Sequence, residues 1–145
     1  EWAIEPKFDK CLFFNEGLAP VVMAEKTGYI DKKGAFVLEP QFDGGYWFRE
    51  GLATAKKGDK WGFINKKGKF VIEAKYAVTS GFYDGYANVK VGDKWAFIDK
   101  NDKKWAGGEF TVGAMFVDGF AVIRDWGNIS VYNKKGKQIY AGSEK

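Results

Sequence analysis

An acidic side chain stands directly before a glycine at Glu16, Glu50, Asp84 and Asp118, one every 34 residues. Paired carboxylates can perform general acid–base chemistry, but these four lie a full period apart in identical local settings. That pattern suits a turn or a backbone acceptor better than a catalytic pair. The chain has no histidine and one cysteine, Cys11. This excludes a histidine-based triad, an imidazole or thiolate zinc cluster and an intramolecular disulfide. Cys11 reads as a small apolar filler. No glycine-rich phosphate cradle leads into a helix. The inventory points away from enzyme activity and implies neither a metal nor a cofactor.

Two other groups of residues could act by binding. Lys32, Lys66, Lys100 and Lys134 recur at one turn position, accompanied by Lys33, Lys67 and Lys135. A regular stack would align them into a basic ridge able to attract a polyanion. The net charge is only +4, however, and Asp31, Asp99, Glu16 and Glu50 are interspersed. With no nucleic-acid motif in view, solvated turns and lysine-guarded strand edges are the preferred reading, and specific nucleic-acid binding is not indicated. Among the aromatics, Trp61 and Trp95 recur in register and are assigned to the core between repeats. Tyr46, Trp47, Tyr83, Trp105 and Trp126 fall outside the repeat's own packing pattern, which makes them candidate ligand contacts. Exposed rings stack on sugars, peptides and bases alike, so the ligand class stays open.

The elements that position these groups follow from the repeat. Phe14-Asn-Glu-Gly-Leu-Ala19 returns as Phe48-Arg-Glu-Gly-Leu-Ala53, Phe82-Tyr-Asp-Gly-Tyr-Ala87 and Phe116-Val-Asp-Gly-Phe-Ala121. A second block keeps the register: Gly28-Tyr-Ile-Asp-Lys-Lys-Gly34, Gly62-Phe-Ile-Asn-Lys-Lys-Gly68, Ala96-Phe-Ile-Asp-Lys-Asn-Asp102 and Ser130-Val-Tyr-Asn-Lys-Lys-Gly136. A third, Glu5-Pro-Lys-Phe-Asp9 and Glu39-Pro-Gln-Phe-Asp43, fades in Glu73-Ala-Lys-Tyr-Ala77. Phe14, Phe48, Phe82 and Phe116, with Gly17, Gly51, Gly85 and Gly119, are therefore read as structural repeat positions. The four glycines do not vary among the copies, which suggests a backbone conformation or close approach that a Cβ would spoil. The glycine at 28 and 62 becomes Ala96 and Ser130, so that place wants a small residue, with an aromatic ring across it as the simplest cause.

Side chains alternate with period two within each unit. Ala19/Val21, Ala53/Ala55, Ala87/Val89 and Ala121/Ile123 line one face of a first strand. A middle strand, Trp61/Phe63 with Ile64, is apolar on both sides and should be the most buried. Phe36/Leu38 and Phe70/Ile72 mark a third. Gly58-Asp59, Gly92-Asp93 and Asp31-Lys-Lys-Gly34 supply the turns. Phe42 to Glu50 is left as an irregular linker.

The expected fold is all-β: 34-residue, three-stranded antiparallel meanders stacked into an open solenoid or superhelix. Propeller-like closure is the alternative. The repeats are 10–43, 44–77, 78–111 and 112–145, with 1–9 as the tail of a preceding copy, in one repeat domain spanning 1–145. A unit this short falls below the ~40 residues needed for independent folding, so each covers its neighbour's apolar face. No apolar stretch approaches the ~20 residues of a membrane span. The start at Glu1, without a basic-then-apolar leader, reads as a processed or excised terminus.

At Lys60-Trp61-Gly62-Phe63-Ile64-Asn65-Lys66-Lys67-Gly68, joined to the Phe-x-Glu-Gly-Leu-Ala block, the chain resembles the bacterial WG (KWG) repeat family. Thr27 and Ile129 depart from it by replacing the tryptophan, Ala96 by replacing the glycine, and Gly107-Gly108 by replacing the Glu-Pro pair. The resemblance implies a repeat module of bacterial proteins, often appended to other domains or exported to the periplasm, surface or medium; it implies no activity. The function expected is noncatalytic binding, foremost of a protein partner in scaffolding or adhesion. Glycan or cell-wall binding through the off-pattern aromatics and polyanion binding through the lysines are the competing readings.

Overall fold

The computed structural model describes residues 7–143, and no helix occurs among them. They form four four-stranded antiparallel sheets. The first comprises β1 (Lys10–Cys11), β2 (Ala19–Met23), β3 (Lys26–Ile30) and β4 (Phe36–Phe42). The second comprises β5 (Gly44–Gly45), β6 (Ala53–Lys57), β7 (Lys60–Ile64) and β8 (Phe70–Tyr76). The third comprises β9 (Thr79–Tyr83), β10 (Tyr86–Val91), β11 (Lys94–Ile98) and β12 (Lys104–Phe110). The fourth comprises β13 (Met115–Val117), β14 (Phe120–Asp125), β15 (Asn128–Asn133) and β16 (Gln138–Ser143). The chain divides after Lys75 into two compact units of two sheets each.

Each copy thus carries four strands instead of the expected three. The stretch assigned as a linker supplies the extra one: Gly44 and Gly45 pair with Lys56 and Ala55, and Met115–Val117 pairs with β14. These strands are short and are held by backbone pairing, so no side-chain alternation announces them.

Two recurring turn chemistries set the registers. In the recurring Glu-Gly or Asp-Gly pair both residues have positive φ, as at Glu16 (49°) and Gly17 (84°), which defines a two-residue type I′ hairpin. Asn15 and Leu18 close it with reciprocal backbone bonds of 2.9 and 3.0 Å. No heavy atom lies within 4 Å of a Cβ built on Gly17, so this glycine is required by conformation alone. In the third turn, Asp31 Oδ1 accepts the N–H groups of Lys33 and Ala35 at 2.8 and 3.0 Å, and Asn65, Asp99 and Asn133 repeat this. Asp102, with φ of 62°, takes the place glycine holds elsewhere.

The small residue at 28 and 62 has a different cause from the aromatic ring expected. A Cβ on Gly62 would come within 2.5 Å of the Ile72 carbonyl oxygen, and one on Gly28 within 2.7 Å of that of Leu38. The neighbouring strand's backbone closes in there, at an irregularity in the β3–β4 register. The third copy has Ala96, and its facing strand carries Gly107 and Gly108, the latter at φ 94°.

The period-two positions are buried as expected, but on β2, β6 and β10 the residues between them, Pro20, Thr54 and Asn88, are buried as well, so these strands are enclosed on both faces there. Ala19, Val21, Ala53, Ala55, Ala87, Val89 and Ala121 are fully buried, as are Phe63, Ile64, Phe97 and Ile98 on the middle strands. In residues 7–75, Tyr29, Leu38, Phe42, Phe48, Ala53 and Ile64 form one cluster across the two sheets. Phe97, Trp105, Phe116 and Ala121 do the same in the other unit. Phe48, Phe82 and Phe116 are enclosed, whereas Phe14 in the first copy is exposed. Cys11, expected as filler, is exposed on β1.

Candidate functional site

Residues 7–75 carry a continuous row of aromatic rings on their surface. Phe13, just after β1, lies 4.3 Å from Trp47 between ring centroids; Trp47 meets Tyr46 edge-on at 5.8 Å; Tyr46 stacks on Trp61 at 5.5 Å and 25°. Phe13 is 60% and Tyr46 49% exposed, and Trp47 and Trp61 are half-buried. Lys56 Nζ stands 5.8 Å over the Trp61 ring, a cation–π arrangement. The row is anchored from below, where Tyr29 Oη donates to the Tyr46 carbonyl at 2.7 Å. Burial pushes the Tyr29 phenol above its usual range, so it remains a donor at neutral pH.

Trp61 and Trp95 were assigned to the core, yet both are only half-buried. Phe63 and Phe97, one pleat further along the same face, occupy the enclosed position. The tryptophans instead border grooves. One groove, about 230 Å³, runs between the sheets of residues 7–75 past Leu12, Pro20, Thr27, Gly45, Tyr46 and Trp61. Two periods later the equivalent places are Ser80, Asn88, Trp95, Gly113 and Ala114, which line a groove of about 720 Å³ in the second unit. Tyr46 lines the smaller groove at the position where Ala114 lines the larger.

The acidic residues before glycine act between copies. Glu16 Oε1 accepts the Gly51 N–H at 3.0 Å and lies 3.5 Å from Lys66 Nζ. Asp84 accepts the Gly119 N–H at 2.6 Å and the Lys134 ammonium at 2.7 Å. The Lys134 hydrogen bond, and then the Gly119 N–H, hold the Asp84 carboxyl below the usual carboxylate range. Two members of the expected lysine ridge, Lys66 and Lys134, are therefore tied to carboxylates of the preceding copy, while Lys32 is exposed. Lys100 Nζ lies 5.9 Å from the Phe82 ring.

A second acidic position went unassigned from the sequence. Asp43 accepts bonds from Lys26 and, at 2.7 Å, from the Gly58 N–H, which hold its carboxyl below the usual range. Asp9 accepts the Ala24 N–H at 2.9 Å in the same way. The recurring Phe8-Asp9 and Phe42-Asp43 pairs were the available signal.

The remaining candidate aromatics are dispersed. Trp105 is buried among Phe97, Phe116 and Tyr132, and its Nε1 donates to the Lys134 carbonyl at 2.7 Å. Its ring is thus committed to packing. Trp126 is 95% exposed in the β14–β15 turn, with φ of 49°. Tyr83 is half-buried on β9. Among the described residues no group of three or more His, Cys, Asp or Glu side chains is placed to hold a metal, and no helix is long and apolar enough to cross a membrane.

The four-stranded sheets place the chain among all-β repeat modules, and its structural neighbours are β-propeller-like proteins. They include Kluyveromyces lactis Hsv2p (TM-score 0.54, 11% identity, 91% of this chain and 49% of that one). A KlHsv2 whose loop 6CD is replaced by a Gly-Ser linker is similar (TM-score 0.56, 11% identity, 88% and 49%). So is a eukaryotic initiation factor (TM-score 0.54, 12% identity, 96% and 47%). The chain spans about half the length of each. No curated protein matches it. The model of the WG containing repeat matches residues 1–26, 28–61 and 61–95, and the chain belongs to that family.

Proposed function

We propose that this chain is a noncatalytic binding module that makes protein–protein contacts, as a scaffolding element of a bacterial, exported protein. The observation that carries the reading is the row Phe13, Trp47, Tyr46 and Trp61. Solvent-facing aromatics that already lean on one another lose little side-chain freedom when a partner covers them, which is why such rings dominate binding energy at protein interfaces. Four strands per copy and the likeness to β-propeller-like proteins favour propeller-type blades over solenoid coils as the description of one copy.

The test is affinity capture from the source organism's lysate with wild-type protein and a Tyr46→Ala/Trp47→Ala variant of unchanged circular dichroism. A partner retained by the first and lost by the second supports the reading; identical captures oppose it. Glycan binding is the second reading, favoured by the exposed face of Tyr46 stacked on Trp61. Oligosaccharide titration followed by tryptophan fluorescence separates the two. The polyanion reading is weakened because Lys66 and Lys134 are engaged by Glu16 and Asp84.

A further inference from the structure

The repeat does not need the aromatic row of residues 7–75 in order to fold. Two periods later the places of Phe13, Tyr46, Trp47 and Trp61 are held by Gly81, Ala114, Met115 and Ile129, and the same four-stranded sheets form. The four rings are an addition to the scaffold.

The row also carries hydrogen-bond donors that the fold leaves unused. Among the described residues, the Trp47 and Trp61 indole N–H groups and the Tyr46 hydroxyl make no hydrogen bond, and both indole nitrogens reach solvent. An indole N–H donates and does not accept. The charges nearby are balanced. Lys10, Glu25 and Asp43 line the adjoining groove, Asp43 is held by Lys26, and Lys56 stands over the Trp61 ring. The surface therefore asks for apolar rings and hydrogen-bond acceptors, with no strong preference for charge.

A proline-rich segment answers that description. Proline offers a carbonyl but no N–H, and polyproline II makes no internal hydrogen bonds, so its carbonyls stand free to accept. Such a segment is already extended and loses little freedom on docking, which is why aromatic-lined grooves take it. The steps between ring centroids, 4.3, 5.8 and 5.5 Å, amount to roughly five residues at the ~3.1 Å rise of that helix. A sugar fits less well. Its hydroxyls need acceptors as well as donors, and neighbouring rings lie at 35°, 80° and 25° to one another, which makes notches where a sugar needs a level platform.

We propose that the row Phe13, Trp47, Tyr46 and Trp61 binds a proline-rich segment in polyproline II form, with prolines seated between the aromatic rings and carbonyls accepting from the Trp47 and Trp61 indoles. The inference rests on the protein-binding reading and names the chemistry of the partner.

The experiment titrates the ¹⁵N-labelled full chain with an N-acetyl, C-amide oligoproline of about ten residues, long enough to cover the row. A Gly-Ser peptide of the same length is the control. Saturable shifts of the Trp47 and Trp61 indole N–H signals with oligoproline are expected, with none at Trp95 and none from the Gly-Ser peptide. Trp47→Phe keeps a ring and removes the N–H, and should weaken binding about five- to tenfold, the worth of one hydrogen bond. Tyr46→Ala/Trp47→Met installs the residues of the fourth copy, where the sheet still pairs, and should abolish binding. The proposal is overturned by the absence of saturable shifts up to roughly 10 mM oligoproline, by equal shifts from the Gly-Ser peptide, by unaltered binding in Trp47→Phe, or by shifts given by maltohexaose and not by oligoproline. If a protein captured by wild type and lost from Tyr46→Ala/Trp47→Ala is not displaced by oligoproline, the proline assignment falls while the protein-binding reading stands. If oligoproline shifts nothing and the captures are identical, both fall.

Discussion

The carboxylate of Asp84 accepts the backbone N–H of Gly119, 35 residues ahead, at 2.6 Å. Glu16 does the same for Gly51, also 35 residues ahead. A residue of one turn therefore pins the equivalent turn of the following copy, and a lysine from that copy, Lys134 or Lys66, completes the clamp.

This clamp predicts an acid limb in the stability profile. The folded pKa of Asp84 lies below its unfolded value of about 3.9. Its contribution is therefore complete above that value and is lost as pH falls through the folded pKa. Urea midpoints measured between pH 7 and pH 2 should decline less steeply at the acid end in Asp84→Asn than in wild type. Parallel profiles would show that the pairing is energetically idle.

At Gly51 the penalty for a side chain should come from the backbone alone, since φ is 84° and the space around it is open. Gly51→Ala is expected to cost about 1–2 kcal/mol, and Gly51→Asn clearly less, because asparagine tolerates left-handed geometry. Chemical denaturation of the two variants decides; equal losses would point to a steric cause instead.

Gly62 should behave in the opposite way, because its penalty comes from the Ile72 carbonyl and the adjoining backbone. Gly62→Ala is expected to cost about 1–3 kcal/mol. Adding Glu73→Gly and Ala74→Gly, which imitates Gly107-Gly108 opposite Ala96, should reduce that cost. A double-mutant cycle giving simple additivity would refute the coupling.

Trp126 holds positive φ while almost wholly in solvent, ahead of Gly127 at φ 81°. Asn-Gly is the preferred pair for such a turn, so Trp126→Asn should stabilise the chain by roughly 0.5–1 kcal/mol. A fall in thermal midpoint would mean that the indole makes a contact worth more than the strain.

What could be read in advance was whatever the chain writes locally. Asp31 to Gly34 announced a turn through an acceptor followed by a glycine, and Ala53 and Ala55 announced a buried face by alternation. β5 escaped notice because Gly44 and Gly45 have no side chains to alternate. Trp105 looked like a surface candidate because it falls outside the repeat's packing pattern, whereas its indole donates to the Lys134 carbonyl, 29 residues ahead, a partner no local pattern names.

Tyr46 and Ala114 hold equivalent positions, and the groove beside the first is about 230 Å³ where that beside the second is about 720 Å³. The scaffold beneath both is kept by other side chains. The room beside one and the same backbone thus changes from copy to copy through side chains that the strand pairing does not use, so an array of this kind varies its surface without renegotiating how it folds.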